Sequence, residues 1–231
     1  PFIVKGRLLR NDGRTILSAS LINTAAESQV WQEDFAADNE DLFGMQTRLA
    51  ERIWNSLGII PQPLERLQVE KSYTQDPEAY ELYLIGRYQL TRRTSADLRQ
   101  AITTFGNAIK LDVNFAPAYV GMADAYALLN LYDVDPPPDA YQRAKEMVTR
   151  ALSIDDGLAE AHATNAYIKF YADRDRNAAE LDFRRSLQVN PSLSQAHHWF
   201  ALFLAATGKT VEARQEIETA RSLDPRSLAV L

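Results

Sequence analysis

The side chains that most often perform chemistry are few and scattered in this sequence. Its 231 residues contain three histidines and no cysteine, which excludes thiolate nucleophiles, disulfides, zinc–thiolate sites and iron–sulfur clusters. It also lacks a phosphate-cradling glycine loop, a Gly-x-Ser-x-Gly elbow and a His-Glu-x-x-His run. We therefore predict that the protein is not an enzyme and that it uses no cofactor and no metal.

Structural roles explain the histidines and the turn carboxylates better than catalysis does. His162 and His197 fall at the same position of a repeating pattern, which favours packing over metal binding or acid–base catalysis. Asp173 and Asp175 stand in an Asp-Arg-Asp-Arg sequence, which is typical of a solvated turn with compensating charges. Catalysis is thus the least favoured hypothesis. Turnover that is lost on changing His198 or one carboxylate to alanine would support it.

The overall charge and hydropathy argue against two classes of partner. Lysine and arginine total 25 and aspartate and glutamate 31, so the net charge is −6. Phosphate binding needs a concentrated basic face, so we predict no direct contact with nucleic acid. No apolar run reaches the roughly 18 residues of a membrane-spanning helix, and the start has no signal-peptide pattern. The compartment is open: the cytoplasm is favoured, with the periplasm as the alternative if a membrane segment lies upstream.

The first 60 residues have the pattern of strands followed by one helix. Apolar and β-branched runs cover residues 2–9, 15–22 and 29–35, and the Asn-Asp-Gly turn between the first two predicts a three-stranded antiparallel meander. Apolar positions three and four apart then predict an amphipathic helix over about 40–57 that covers one sheet face. This domain is thin, and the first residue already lies in a strand pattern. We expect it to form homodimers, to dock on the following segment, or to depend on upstream residues.

Residues 61–76 are predicted to be a proline-containing linker with room for a short helix around 64–69, and residues 77–231 show helical periodicity throughout. Within the helical part, small residues recur in register in four units of paired helices, A and B. In helix A they are Gly86, Ala123, Ala166 and Ala201. In helix B they are Ala101, Ala144, Ala179 and Ala213, which recur 43, 35 and 34 residues apart. Small residues let two helix backbones approach, so each unit is predicted to be a packed helical hairpin.

Local signals add predicted boundaries to these helices. Ser192 to Gln195 have the pattern of a capping box, Thr94 and Thr210 are candidate N-caps, and Gly208 falls at a turn between helices. Extra residues in unit 1 around 92–97 and in unit 2 around 130–139 are interpreted as surface turns, with a recognition loop as the alternative for the second. Residues 226–231 have the pattern of another helix A, so we expect the native protein to continue.

The four units resemble tetratricopeptide repeats (TPRs), whose 34-residue period unit 4 matches without insertion. Residues 4–10, 19–23, 30–35 and 41–43, followed by the helix, are similar to the C-terminal part of a TolB-like domain. The resemblance implies an α+β fold: a small antiparallel sheet plus helix, then an all-α TPR solenoid. It also implies a place in multidomain bacterial regulators, with a winged-helix DNA-binding domain, an adenylate cyclase or a kinase upstream.

The TPR resemblance further implies which residues line the concave groove of the solenoid, where such repeats bind peptides or proteins. Those that we single out are Tyr80, Tyr83, Arg87, Asp124, Tyr167, Phe170, Tyr171 and His198. The lysine and asparagine clamp of chaperone-binding TPRs is not matched, because Arg87, Asp124, Tyr167 and Leu202 stand where its asparagine is expected. The aromatic rings would either contact a partner or fill space against the C-terminal continuation of the solenoid or the TolB-like domain. If they contact a partner, Tyr83→Ala with Tyr167→Ala should abolish binding and leave stability nearly unchanged.

The prediction for the whole chain is a non-enzymatic interaction module. We expect it to bind a peptide or protein partner in the concave TPR groove and to receive signals for a larger bacterial regulator. The alternative is a self-association scaffold that sets the oligomeric state of the full-length protein.

Overall fold

The computed structural model describes residues 2–11, 14–38, 42–61, 66, 69 and 71–225. The chain forms two compact units, Pro1–Pro77 and Glu78–Leu231. The fold class predicted from the sequence, a small antiparallel sheet with a helix followed by a helical solenoid, is confirmed. Most of the predicted linker helix at 64–69 and all of the predicted helix at 226–231 lie outside the described residues.

The first unit contains a three-stranded antiparallel sheet in the order β1-β2-β3, formed by Phe2–Asn11, Arg14–Asn23 and Ser28–Asp38. Lys5 pairs with Ser20, and Ser20 pairs with Gln32. The tight turn between β2 and β3 is held by the Asn23 side chain, whose Oδ1 accepts from the backbone N–H groups of Ala25 and Ala26 at 3.0 and 3.1 Å. The meander predicted from the strand pattern is therefore present.

Helix α1, Leu42–Leu57, covers the face of the sheet that carries Trp31 and Phe35. Met45 completes the buried core, and Arg52 lies 5.1 Å above the Trp31 ring. The helix ends at Gly58, whose φ of 64° suits a residue without a Cβ. The predicted helix of 40–57 is thus present from residue 42, while residues 40 and 41 lie outside the described part.

The second unit consists of four consecutive helical hairpins, here called repeats 1 to 4, each with a helix A and a helix B. Their bounds are α2 Pro77–Arg92 and α3 Ser95–Leu111, α4 Ala116–Tyr132 and α5 Ala140–Ile154, α6 Ala159–Ile168 and α7 Arg176–Val189, and α8 Ser194–Ala206 and α9 Thr210–Leu223. A π-helical segment, Lys169–Asp173, extends α6. In the part of the chain that the structure describes, no helix is long and apolar enough to cross a membrane.

The recurring small residues lie at the contacts between helices, as the repeat pattern predicts. The alanines of the B helices and the small residues of the A helices are all buried. Repeat 1 shows why: the Phe105 ring of α3 is fully buried against Gly86 of α2 and Gly121 of α4. A Cβ at either glycine would come within 2.6 Å of that ring, so larger residues would not fit without movement.

The predicted helix caps are borne out only in part. Thr94 does cap α3, since its Oγ1 accepts from the Asp97 backbone N–H at 3.1 Å. The capping box at Ser192 to Gln195 is wrong, because Leu193 holds the N-cap position of α8 and Ser194 Oγ donates to the Ala220 carbonyl. Thr210 is not an N-cap either, since it is the first residue of α9 and Lys209 precedes it. Asp175, interpreted as part of a solvated turn, caps α7 by accepting from the Ala178 N–H at 3.0 Å.

Candidate binding groove

The A helices α2, α4, α6 and α8 carry one equivalent position, directly after their small residue, on which the groove prediction depends. It is occupied by Arg87, Asp124, Tyr167 and Leu202. Asp124 and Tyr167 are buried there, with 6% and 4% of their surface exposed, whereas Arg87 and Leu202 are exposed. The same repeat position thus changes from solvent-facing at the ends of the solenoid to enclosed in its middle.

Asp124 joins three A helices through hydrogen bonds. Its carboxylate accepts from Thr164 Oγ1 of α6 at 2.6 Å and from Gln195 Nε2 of α8 at 2.9 Å. Burial raises the pKa of Asp124 to about 6, against the lowering effect of these two donors and of the Arg87 charge. We call Arg87, Asp124, Thr164 and Gln195 the polar line, because one residue comes from each of the four repeats.

Next to the polar line, repeat 1 presents a group of aromatic rings. The Arg87 guanidinium donates to the Tyr83 hydroxyl at 2.9 Å. Tyr80 stacks on Tyr83 at a centroid distance of 6.2 Å, and the Tyr83 ring lies 5.1 Å from Phe115. Both tyrosines are half-buried. The rings of Tyr80 and Tyr83 therefore pack against the helix pair while part of each side chain, including a polar hydroxyl edge, remains accessible.

Repeats 2 and 3 bring four phenols together, which we call the tyrosine cluster: Tyr132, Tyr141, Tyr167 and Tyr171. The Tyr167 ring lies 4.5 Å from Tyr171 and 4.7 Å from Trp199 of α8. Burial raises the pKa of Tyr167 far above its ordinary value, and the other three phenols raise it further. Tyr141, Tyr167 and Tyr171, whose pKa values are all raised, are therefore neutral at physiological pH.

Arg93 points toward this cluster from the turn between α2 and α3. Its backbone has a φ of 50°, in the left-handed region, and its Nη1 donates to the Tyr132 hydroxyl at 3.1 Å. Its charge acts on Tyr167 in repeat 3 and on His198 in repeat 4. The pKa of His198 is lowered to about 4, mainly by burial and also by the charge of Arg93. This buried imidazole is therefore neutral at pH 7.

The π-helical segment places one further ring, that of Phe170, beside the cluster. Phe170 packs edge-on against both Tyr171, at 4.8 Å, and Phe203 of α8, at 5.2 Å. The segment ends at Arg174, which has a φ of 58°. Single π-turns often occur at functional sites, where the extra residue redirects neighbouring side chains.

The structure places the eight predicted groove residues in two groups. Tyr80, Tyr83, Arg87 and Asp124 belong to the first, and Tyr167, Phe170, Tyr171 and His198 to the second. Tyr167 is a packing residue between α6 and α8, and His198 is also buried, with 8% exposed. The burial of Tyr167 overturns the expectation that losing its ring would leave stability unchanged.

Sequence reasoning did not find Arg93, Thr164, Gln195, Tyr132 and Tyr141. Arg93 fell in residues interpreted as a turn insertion, and Gln195 was assigned to a capping box. For Thr164 a signal was available: it lies in a helix A among alanines, two residues from the small residue Ala166.

The histidines at the shared repeat position have a structural role. His162 Nε2 and His197 Nε2 bond the carbonyls of Asp156 and Pro191, six residues earlier, at 2.8 and 2.9 Å. Tyr119 occupies the same position in repeat 2 and donates to the Val113 carbonyl. The side chain at this position therefore bonds helices α4, α6 and α8 to the turn before each of them. Among the described residues, no three His, Cys, Asp or Glu side chains are grouped to hold a metal ion.

Comparison with solved structures identifies the fold. The chain is similar to the thermophilic TPR protein TTC0263 of Thermus thermophilus, with a TM-score of 0.55 and 17% identity over 81% of this chain and 94% of that one. The helical unit thus has the fold of a tetratricopeptide-repeat protein. No protein-family model matches the chain.

Two curated proteins contain a similar stretch of sequence. The putative adenylate cyclase 3 of Rhizobium meliloti is 22% identical over 167 residues, which are 71% of this chain and 28% of the cyclase. The transcriptional regulator HilA of Salmonella typhimurium is 22% identical over 148 residues, which are 64% of this chain and 27% of HilA. The chain therefore spans less than a third of the length of either relative.

Proposed function

We propose that the helical unit is a non-enzymatic interaction module that binds a peptide or protein partner in the groove formed by its A helices. The observation that carries the proposal is the polar line, to which four successive repeats contribute Arg87, Asp124, Thr164 and Gln195; Arg87 is exposed and Gln195 partly exposed, whereas Asp124 and Thr164 are buried. Aromatic rings with polar edges flank this line on α2 and α6. Such rings give large contact areas at a small cost in conformational entropy, which suits an extended peptide or a partner helix.

The titratable groups of the groove support binding rather than catalysis. Asp124 is occupied by the hydrogen bonds from Thr164 and Gln195, which join three helices. His198 is kept neutral by its burial and by Arg93. A general acid or base needs a pKa near the working pH and access to substrate, and neither group combines both properties.

We further propose that this module receives signals for a larger bacterial regulator. The similarity to a putative adenylate cyclase and to a transcriptional regulator supports this role, because the matched stretch is the minor part of both proteins. The resemblance of the first unit to a TolB-like domain supports the same context. In this role, the signal that partner binding produces in the groove would be transmitted to an effector domain elsewhere in the full-length protein.

A matched pair of arginine substitutions tests groove binding. Peptides would be selected on the chain from a random display library, and their affinities measured by fluorescence anisotropy. Leu202→Arg adds a long charged side chain at the groove position of repeat 4, where Leu202 is 41% exposed. Leu181→Arg makes the same change on the B helix α7, where Leu181 is 68% exposed. We expect Leu202→Arg to weaken binding by roughly tenfold or more and Leu181→Arg to leave it unchanged. Equal effects of the two, or no selected peptide, would contradict the proposal.

The edge strand β1 favours self-association as a second candidate function. Phe2, Ile3 and Val4 each expose more than two fifths of their surface, and β1 pairs only with β2 among the described strands. Exposed apolar edges promote pairing with another chain. Light scattering should then give a mass that rises with protein concentration and falls back to one chain in Val4→Lys. A monomer at millimolar concentration would exclude this function.

A further inference from the structure

Arg93 differs from the neighbouring arginines in having no acidic partner. Arg92 pairs with Asp97 at 3.0 Å and Arg99 with Asp133 at 2.6 Å. The Arg93 guanidinium instead bonds the neutral Tyr132 hydroxyl and lies 5.7 Å from the centre of the same ring. No carboxylate of the described residues lies within ion-pair distance of it. Its positive charge is therefore not compensated locally.

The groups around Arg93 are neutral, and several of them are unpaired donors. The hydroxyls of Tyr141, Tyr167 and Tyr171 make no hydrogen bond to any described residue. His198, which the Arg93 charge also reaches, adds no second positive charge at neutral pH. The environment thus offers the Arg93 guanidinium and several phenol O–H groups, contributed by repeats 1, 2 and 3 and bordered by repeat 4, and the charge of Arg174 also acts on Tyr141.

This donor set selects among ligand chemistries. A cation would be repelled by Arg93, and an apolar group would leave the guanidinium and the phenols without partners. A carboxylate has one negative charge and two acceptor oxygens, which a guanidinium fork and phenol donors complement.

We propose that Arg93 and the tyrosine cluster form a carboxylate-binding subsite of the groove, which takes an aspartate or glutamate side chain or the C-terminal carboxylate of the partner. This inference rests on the proposed function, since it names the partner chemistry of the same groove. The subsite lies at the turn of repeat 1 and uses phenols. It therefore differs in position and chemistry from the lysine and asparagine clamp that the sequence lacks.

The test uses small probes whose binding does not require the rest of a partner. N-acetylglutamate α-amide carries a side-chain carboxylate, N-acetylglycine carries a terminal carboxylate, and N-acetylglutamine α-amide is the neutral control. Each would be titrated into the isotope-labelled chain while the Arg93 Nε–Hε and tyrosine ring resonances are followed by NMR. We expect saturable shifts with at least one carboxylate probe and none with the glutamine probe. The probe that binds more tightly shows whether the subsite takes a side-chain carboxylate or a C-terminal carboxylate.

Variants separate recognition from folding. Arg93→Gln should weaken carboxylate binding by roughly tenfold or more, because a charge-assisted pair is replaced by a neutral one. Arg99→Gln, which removes the guanidinium paired with Asp133, should leave it unchanged. Arg93→Lys keeps the charge and should bind with intermediate affinity. If Arg93→Gln unfolds, this lysine variant and the wild-type titration still decide the question.

Two results would overturn the inference: equal shifts with the glutamate and glutamine probes, or unchanged carboxylate binding in Arg93→Gln. The proposed function is tested separately, by comparing peptide binding in the Leu202→Arg and Leu181→Arg variants. Selected peptides that bind without any preference for a carboxylate would refute the subsite and leave groove binding intact. Carboxylate binding without any selected peptide would support the subsite alone.

Discussion

Asp124 is a carboxyl group enclosed among neutral donors, and this placement makes the stability of the helical unit depend on pH. Its folded-state pKa is raised from 3.8 to about 6 by burial. The folded protein therefore holds this proton more tightly than the unfolded chain does. The resulting stabilisation is complete below the unfolded pKa and is lost as the pH rises through about 6.

We predict that Asp124→Asn removes this pH dependence. Between pH 7.5 and pH 5, protonation of Asp124 should add roughly 1 kcal/mol to the free energy of unfolding, and the asparagine variant should lack that increase. The measurement is urea unfolding at several pH values, followed by the ¹⁹F resonance of 5-fluorotryptophan at Trp199, which reports on the helical unit. A variant whose unfolding free energy changes with pH as the wild type does would assign the effect to other groups.

For single residues, the sequence predicted the position on a helix better than it predicted the residues in contact. Arg87 and Asp124 each follow directly after a small residue of a helix A, and the Arg87 charge acts on Asp124. Their actual contacts were not predicted, because Gln195 reaches Asp124 across 71 residues of sequence. Arg93 was missed for a related reason: helical periodicity does not fix the direction of a long side chain that starts from a turn.

The contact between helices in repeat 1 depends on two glycines that accept one aromatic ring. A Cβ added at Gly121 would lie 2.4 Å from Phe105 Cζ, and the buried ring has no free space into which to move. Gly106, next to Phe105 on α3, would place its Cβ 3.7 Å from Met122, an ordinary contact. We therefore expect alanine substitutions at Gly121 and at Gly106 to have opposite effects on stability.

Gly121→Ala should destabilise the helical unit by about 1 to 3 kcal/mol, because overpacking forces the Phe105 ring or a helix to shift. Gly106→Ala should be neutral or stabilising by up to about 1 kcal/mol, since alanine is the better helix former. Thermal unfolding of the two variants compares them directly. Adding Phe105→Leu to Gly121→Ala should recover part of the loss. Equal stabilities of the two single variants would show that the ring is not held tightly.

Helices and strands were largely predictable because their signals are local or periodic. The strand alternation, the Asn-Asp-Gly turn and the recurring alanines of the B helices led to the observed elements. The capping box failed where a tertiary contact was stronger than a local one, since Ser194 bonds Ala220 and Gln195 bonds Asp124. The π-helical segment had no recognised signal, because a single inserted residue does not disturb an apolar pattern that continues on both sides.

Across the helical unit, the polar line connects repeats that are not neighbours. An ideal solenoid is stabilised within each repeat and between adjacent repeats only. Here Gln195 of repeat 4 donates to Asp124 of repeat 2, and Thr164 of repeat 3 shares the same carboxylate. A bond across two repeats makes the unfolding of the solenoid more cooperative than a nearest-neighbour stack.

A double-mutant cycle measures this long-range connection. Asp124→Asn, Gln195→Ala and the double variant should show a coupling free energy of about 0.5 to 3 kcal/mol, as is usual for residues in one hydrogen-bond network. Thr94→Ala removes the cap of α3 in repeat 1, where it has no contact with Gln195. Its combination with Gln195→Ala should therefore be additive within about 0.5 kcal/mol. Urea unfolding followed at Trp199 gives both cycles. Additivity in the Asp124 cycle would mean that the repeats act as a nearest-neighbour stack.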